Sequence, residues 1–226
     1  YDPLYLLSYN QLVSIWQSNN PDSKTSAFNR IVTPQKYDSQ ITNLLNVKYI
    51  LTFDQITNPN FEEVFEEGQT KVYENLKALP RAYFAREVIK VDTKSDELKY
   101  LLDPNFDSAS TAVSQDLSFK RQEASASAII AAYKDQQIEI ATYSDREMPL
   151  VVGNVYYPGW QAYIDGQKTQ VYKVNYLYQS VIVPQGNHMV EFKFQPKSFY
   201  NGAYLSAAGL LASIAFAGFI WKRKSL

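Results

Sequence analysis

The sequence has 226 residues, a formal net charge of −1 and no cysteine. That length allows one large domain or two small ones. The near-neutral charge gives no electrostatic basis for a nucleic-acid partner, and the missing thiols exclude cysteine nucleophiles, disulfides and thiolate metal sites. Hydrophobic residues make up 46% and charged residues 20%, which is enough apolar material for a packed core. The 18 Tyr and 12 Phe against 2 Met favour aromatic bodies that are buried with one wet edge. The chain opens at Tyr1 without an initiator Met, which reads as a cut end, so a missing signal peptide carries little weight.

Asp2-Pro3 reads as an N-cap followed by proline at the first helical position. Tyr5, Leu6, Tyr9, Leu12, Val13 and Trp16 follow on one helical face. Ser18 to Asp22 closes that helix with a polar loop. Asp38 is the expected cap of a second short helix that carries Ile41, Leu44 and Leu45 inward. It turns into a β-branched and aromatic strand from Val47 to Phe53. Phe61 to Glu67 sets four Glu among two Phe and a Val. This reads as a half-exposed strand with a solvated face rather than a metal site, because no His or Asp lies near it in sequence. Gly68-Gln69 is a hairpin turn into Thr70 to Asn75. Extended segments follow over Pro80 to Arg86 and Val88 to Val91. A helix capped by Thr93 or Ser95, carrying Leu98, Leu101 and Leu102, is stopped by Pro104.

The remainder up to Pro196 reads as strands. Ser125 to Tyr133 is small and apolar, Ile138 to Thr142 alternates, and Leu150 to Tyr157 is the continuous run of a strand buried on both faces. Pro158-Gly159 is a turn or bulge. Asp165-Gly166 is a two-residue hairpin signal, because the tight turn needs positive φ. Tyr172, Val174, Tyr176 and Tyr178 are expected on one face of one strand. After Pro184 to Asn187, Val190, Phe192 and Phe194 line one face of the last strand, with Glu191 and Lys193 opposite. The expected fold class is α+β: a small α/β part over 1–92, an antiparallel, jelly-roll-like β-sandwich over 93–200, and a transmembrane helix with a basic tail over 201–226.

Gly202 to Trp221 carries no charge over twenty residues. At 1.5 Å per residue this spans roughly 30 Å, the thickness of the hydrocarbon core. Lys222, Arg223 and Lys224 follow at once, and the positive-inside rule assigns that tail to the cytoplasm and residues 1–200 to the other side. Tyr200, Tyr204 and Trp221 fall near the two interfaces. A buried core helix is the plainer alternative, and the length, the basic stop and the terminal position oppose it. A wall-sorting signal is rejected, because Gln195 to Phe199 is not its upstream motif. The small residues Ser206, Ala207, Ala208, Gly209, Ala212 and Ser213 suit close packing on another membrane helix.

Five stretches in order resemble the C-terminal portion of the YfhO family of bacterial multi-pass membrane proteins. They are Tyr1-Asp2-Pro3-Leu4 with Tyr9; Leu45 to Leu51; Val72 to Asn75 with Leu79 to Tyr83; Tyr156 to Gly166; and Val183 to His188 with Phe194 to Phe199. The resemblance implies a parent with many membrane helices before Tyr1, a bacterial cell-membrane location, and a glycosyltransferase-like activity on envelope polymers that uses a polyprenyl-phosphate sugar. It implies a catalytic carboxylate far upstream, so no catalytic residue and no cofactor is expected in this stretch. The expected partners are the lipid bilayer, the parent's upstream helices and an envelope glycan. The other reading is a membrane-anchored carbohydrate-binding or structural module with no transferase attached.

Tyr156, Tyr157, Trp160 and Tyr163 could stack a sugar face and hydrogen-bond its rim, or fill the sandwich core and one hairpin. Arg81 and Arg86 could hold an anionic phosphate, or be solvated or ion-paired. Asp165 is better explained by turn geometry than by catalysis. His188, the one histidine, reads as structural, because no other ligands are spaced to complete a metal site.

Overall fold

The computed structural model describes residues 7–23 and 32–224, with side chains through 216 where the backbone is described. The helix start at Asp2-Pro3, with Tyr5 and Leu6, lies outside the described residues, as do the side chains of Trp221, Lys222, Arg223 and Lys224. Helix α1 (Leu7–Ser18) buries Leu12 and Ile15 completely. Its inward face is therefore rotated from the expected stripe, and Tyr9 stays exposed. Trp16 sits at the border of the core, where its Nε1 donates to Thr42 Oγ1 at 2.8 Å, as a buried indole requires. Helix α2 (Gln40–Leu44) is capped by Ser39, one residue after the expected Asp38, and the Ser39 side chain accepts from the Thr42 N–H.

Strands β1 (Tyr49–Thr52), β2 (Phe61–Glu67) and β3 (Thr70–Asn75) form a small antiparallel sheet in the order β1-β3-β2. Gly68 supplies the left-handed turn between β2 and β3, with φ of 61°. Ile56, Phe61 and Tyr73 make a small core on one face of this sheet. Next come β4 (Ala82–Phe84) and β5 (Glu87–Lys90), followed by α3 (Lys94–Leu102) and β6 (Thr111–Ser114). Helix α3 is capped by Thr93, whose side chain accepts from the Asp96 N–H. It is the crossover between β5 and β6, which pair in parallel. Strand β6 has no counterpart in the sequence reading, since four small buried residues have no periodicity to read.

The sandwich follows: β7 (Ala126–Lys134), β8 (Gln137–Ser144), β9 (Met148–Val155), β10 (Trp160–Ile164), β11 (Gln167–Thr169), β12 (Tyr172–Val174), β13 (Tyr178–Val183) and β14 (Gly186–Phe194). A five-stranded antiparallel sheet runs β11-β10-β14-β8-β7, and a four-stranded one runs β12-β13-β9-β4. Ile138, Ile140, Val190 and Phe192 of the first sheet meet Leu150, Val152, Val181 and Val183 of the second. All eight are between 0% and 1% exposed. At roughly 25 cal/mol per Å² of apolar surface removed from water, this dry interlayer is the main source of the sandwich's cohesion.

The four-stranded sheet is covered on its other face too. Tyr83, Val151, Val174 and Tyr178 pack with Leu12, Ile15, Leu98 and Leu101 of the helices in a second core. Of the run expected from Leu150 to Tyr157, Leu150 to Val152 is buried on both faces, whereas Gly153 to Val155 are half-buried and Tyr156 and Tyr157, past the end of β9, are exposed. Position 92 falls inside the β5-α3-β6 crossover, and β4 ahead of it hydrogen-bonds to β9 beyond it.

One expected strand is broken. Tyr172 to Tyr178 is two strands joined by a turn in which Asn175 and Tyr176 take φ of 48° and 68°. Asn175 Oδ1 accepts from the Val113 N–H at 2.9 Å, its Nδ2 donates to the Tyr83 hydroxyl at 3.2 Å, and the Tyr176 N–H donates to Glu97 Oε1 at 2.7 Å. The Tyr83 and Glu97 side chains and the Val113 backbone hold these residues in a left-handed conformation that alternation cannot reveal.

Helix α4 (Lys197–Lys224) leaves the sandwich directly after β14. Its stretch Lys197–Phe216 has a mean hydropathy of 1.2 and no burial, and by length and composition it can cross a membrane.

Candidate functional site

The segment between β9 and β10 is fastened to the place where β14 becomes α4. Gly159 has φ of 122°, and a Cβ there would lie 2.9 Å from Phe194 Cε2 and 3.1 Å from Pro196 Cα. Its carbonyl accepts from the Gln195 N–H at 2.7 Å. Only glycine fits this position, because both the dihedral and the space exclude a side chain. The Trp160 ring lies 5.4 Å from that of Phe194, and the Tyr157 ring lies 6.2 Å from it. The Pro-Gly-Trp stretch therefore forms the socket from which the apolar helix departs.

Alternation along β10 then divides the four candidate aromatics. Trp160, Ala162 and Ile164 pack on the sandwich core. Gln161 and Tyr163 point to the outer face. The Tyr163 hydroxyl donates to Gln161 Oε1 at 3.2 Å, Lys168 Nζ donates to the same oxygen at 2.8 Å, and Lys193 Nζ sits 5.3 Å from the Tyr163 ring centroid. Trp160 and Tyr157 thus share one aromatic cluster and Tyr163 belongs to another surface. Tyr156 is exposed, and its N–H donates to the Leu177 carbonyl at 2.6 Å.

Beside the socket lies an open cleft of about 420 Å³. Pro158, Trp160 and Pro196 form apolar walls, and Gln161, Lys168 and Lys197 supply polar groups. The sequence reading named Trp160 there and missed the two lysines. The available signal was the position of Lys197, the last charge before the apolar run.

Asp165 and Gly166, with φ of 51° and 81°, make the hairpin turn. Asp165 Oδ1 accepts from the Met189 N–H at 2.9 Å, and Oδ2 lies 2.6 Å from His188 Nδ1. His188 Nε2 lies 3.1 Å from the Gln185 carbonyl. Both ring nitrogens face acceptors, so this geometry suits the imidazolium. The Asp165 bond accordingly raises the His188 pKa above its ordinary value, and His188 in turn lowers that of Asp165. Asp165 pins a hairpin to the start of β14, which agrees with the turn reading.

The two arginines have separate partners. Arg81 Nη1 donates to the Tyr133 hydroxyl at 2.8 Å with its guanidinium over the same ring, linking the residue before β4 to β7, the edge strands of the two sheets. Arg86 Nη1 pairs with Glu123 Oε2 at 2.6 Å. Among the described residues, no group of three or more His, Asp or Glu is placed to hold a metal ion.

Residues 105–206 match the family model described as bacterial membrane protein YfhO. The match covers β6 to β14, the Pro-Gly-Trp socket, the cleft and the first turns of α4. No curated protein and no solved structure matches the chain.

Proposed function

We propose, from the premise that this chain carries a YfhO-family membrane-protein segment over residues 105–206, that it is a non-catalytic, extracytoplasmic C-terminal domain of a multi-pass, glycosyltransferase-like protein acting on cell-envelope polymers. The supporting observation is the family match across a sandwich fused, through the Gly159 socket, to a helix that can cross a membrane. In this reading α4 holds the domain against the bilayer and packs beside the parent's other membrane helices. The basic residues Lys222, Arg223 and Lys224 orient the tail toward the cytoplasm. The polyprenyl-phosphate sugar is handled upstream, and the sandwich guides or contacts the acceptor glycan. Tyr157 and Trp160 are the glycan contacts best placed together, with Tyr156 near them and Tyr163 on the outer face. Arg81 and Arg86, already partnered, would have to exchange those partners to hold a phosphate.

Reporter fusions after Leu226 test the orientation. Activity of an extracytoplasmic reporter there would overturn it. Glycosylation of the envelope polymer in cells carrying the parent with Trp160→Ala tests the glycan contact. We expect reduced glycosylation with normal membrane levels, and unchanged glycosylation would remove Trp160 from the reading. A reading frame upstream of Tyr1 that begins within a few tens of residues, with no further apolar span, would instead favour an anchored module without a transferase.

A further inference from the structure

The cleft beside Trp160 lies where the sandwich meets the membrane helix, and its lining has one sign of charge. Lys168 reaches it from β11 and Lys197 from the first position of α4, and none of its lining residues is a carboxylate. The Lys168 ammonium is already oriented by Gln161 Oε1 at 2.8 Å. At about 420 Å³ the cleft falls in the usual range for small-ligand sites, roughly 300–1,000 Å³.

Its depth relative to a bilayer follows from helix geometry. Lys197 is the last charge before the span and lies five residues ahead of Gly202, where the twenty-residue stretch that matches the hydrocarbon core begins. At 1.5 Å per residue that is roughly 7 Å, about the thickness of one headgroup layer. Tyr200 and Tyr204, both exposed, flank Gly202 on either side, where interfacial aromatics belong. Two ammonium groups at headgroup depth, with Trp160, Pro158 and Pro196 as apolar walls, complement a phosphate whose attached chain continues into the bilayer.

We propose that this cleft binds the phosphate of an anionic membrane phospholipid. The inference rests on α4 crossing the membrane, as in the proposed function. Lys168 and Lys197 contact the phosphate oxygens. The apolar walls face the glycerol backbone. The bound lipid would fix the tilt of the sandwich on the membrane surface.

The test uses the full chain in nanodiscs of phosphatidylcholine with phosphatidylglycerol as the minor lipid. Native mass spectrometry counts the phosphatidylglycerol that stays bound on release. Retention should fall roughly tenfold in Lys168→Gln/Lys197→Gln, because each lysine near an anionic surface contributes on the order of a few-fold in affinity. A Lys222→Gln/Arg223→Gln/Lys224→Gln variant should keep the site. Equal retention by the wild type and the cleft variant would overturn the proposal. Binding of soluble glycerol 1-phosphate with no preference for phosphatidylglycerol would assign the cleft to a free phosphate ester and overturn the lipid assignment. Alkaline extraction of the same chain from membranes separates the two readings. A chain that extracts as a peripheral protein overturns both the span and the lipid site, whereas one that stays integrated without selective retention overturns the lipid site alone.

Discussion

The five-stranded sheet of the sandwich and the three-stranded sheet β1-β3-β2 are made of similar strands, yet they end in different environments. In β14, Val190 and Phe192 alternate with Glu191 and Lys193, and both apolar side chains are fully buried against the second sheet. In β2, Phe61 and Phe65 stand four apart and would share a face by simple alternation. A bulge between Glu63 and Phe65 breaks that sharing. Phe61 stays 7% exposed in the small core, while Phe65 moves to the face of Val72 and Leu51, where it is 52% exposed. A strand pattern buries side chains only where a second layer stands opposite, and one extra residue transfers the rest of a strand to the other face.

The largest expected effect breaks that comparison if it fails. Phe192→Ala should destabilise the chain by roughly 3–5 kcal/mol, whereas Phe65→Ser should stay within about 0.5 kcal/mol. Denaturant unfolding in detergent measures both, and equal losses would mean that the small sheet is covered in the working protein. Next, Gly159→Ala should cost on the order of 1–3 kcal/mol from backbone strain and the close approach to Phe194 and Pro196. The companion Gly68→Ala, at an open turn, meets no neighbouring atom and tests φ strain alone.

Glu97 offers a third test, on the layer that covers the sandwich's outer face. Glu97→Ala leaves the buried Tyr176 N–H unpaired and should cost roughly 1–3 kcal/mol, whereas Glu97→Gln retains an acceptor. Burial raises the Glu97 pKa. The folded chain therefore holds more protons than the unfolded chain between the ordinary value and the raised one. Stability falls as pH rises through that window, and Glu97→Gln should flatten the fall. Unfolding midpoints across that pH range measure it.

The smallest effect is at the exposed clasp. NMR titration should place His188 above its ordinary value, and Asp165→Asn should bring it back down. The His188 contribution is fully present below its unfolded pKa and is lost as pH rises through the raised one. The Asp165 contribution is present above its own unfolded pKa and is lost as pH falls through the lowered one. An unshifted His188 in the wild type would remove the clasp.

Much of the fold is legible in local chemistry. Thr93, Gly68 and Asp165-Gly166 mark caps and turns because their backbone needs are local. The apolar run from Leu150 announces a doubly covered strand, although the double cover ends at Val152 and does not reach Tyr157. The helix that can cross a membrane is legible because a bilayer sets a length and excludes charge. The candidate site was only half legible. Trp160 stands out by composition, but its separation from Tyr163 depends on which face of β10 each occupies. Lys168 is unremarkable in sequence until the hairpin after Ile164 carries it back beside Gln161.

The sequence by itself determined the strands with clean alternation, the turns that need positive φ and an apolar span at the C-terminus, since each follows from neighbours within a few residues. Only the tertiary structure decided that β4 joins β9, that Asn175 and Tyr176 turn on Glu97, Val113 and Tyr83, and that Gly159 packs against Phe194 and Pro196 just ahead of α4. Those pairings join residues tens of positions apart, and no local propensity specifies which distant group will satisfy a buried donor or leave room for a missing side chain.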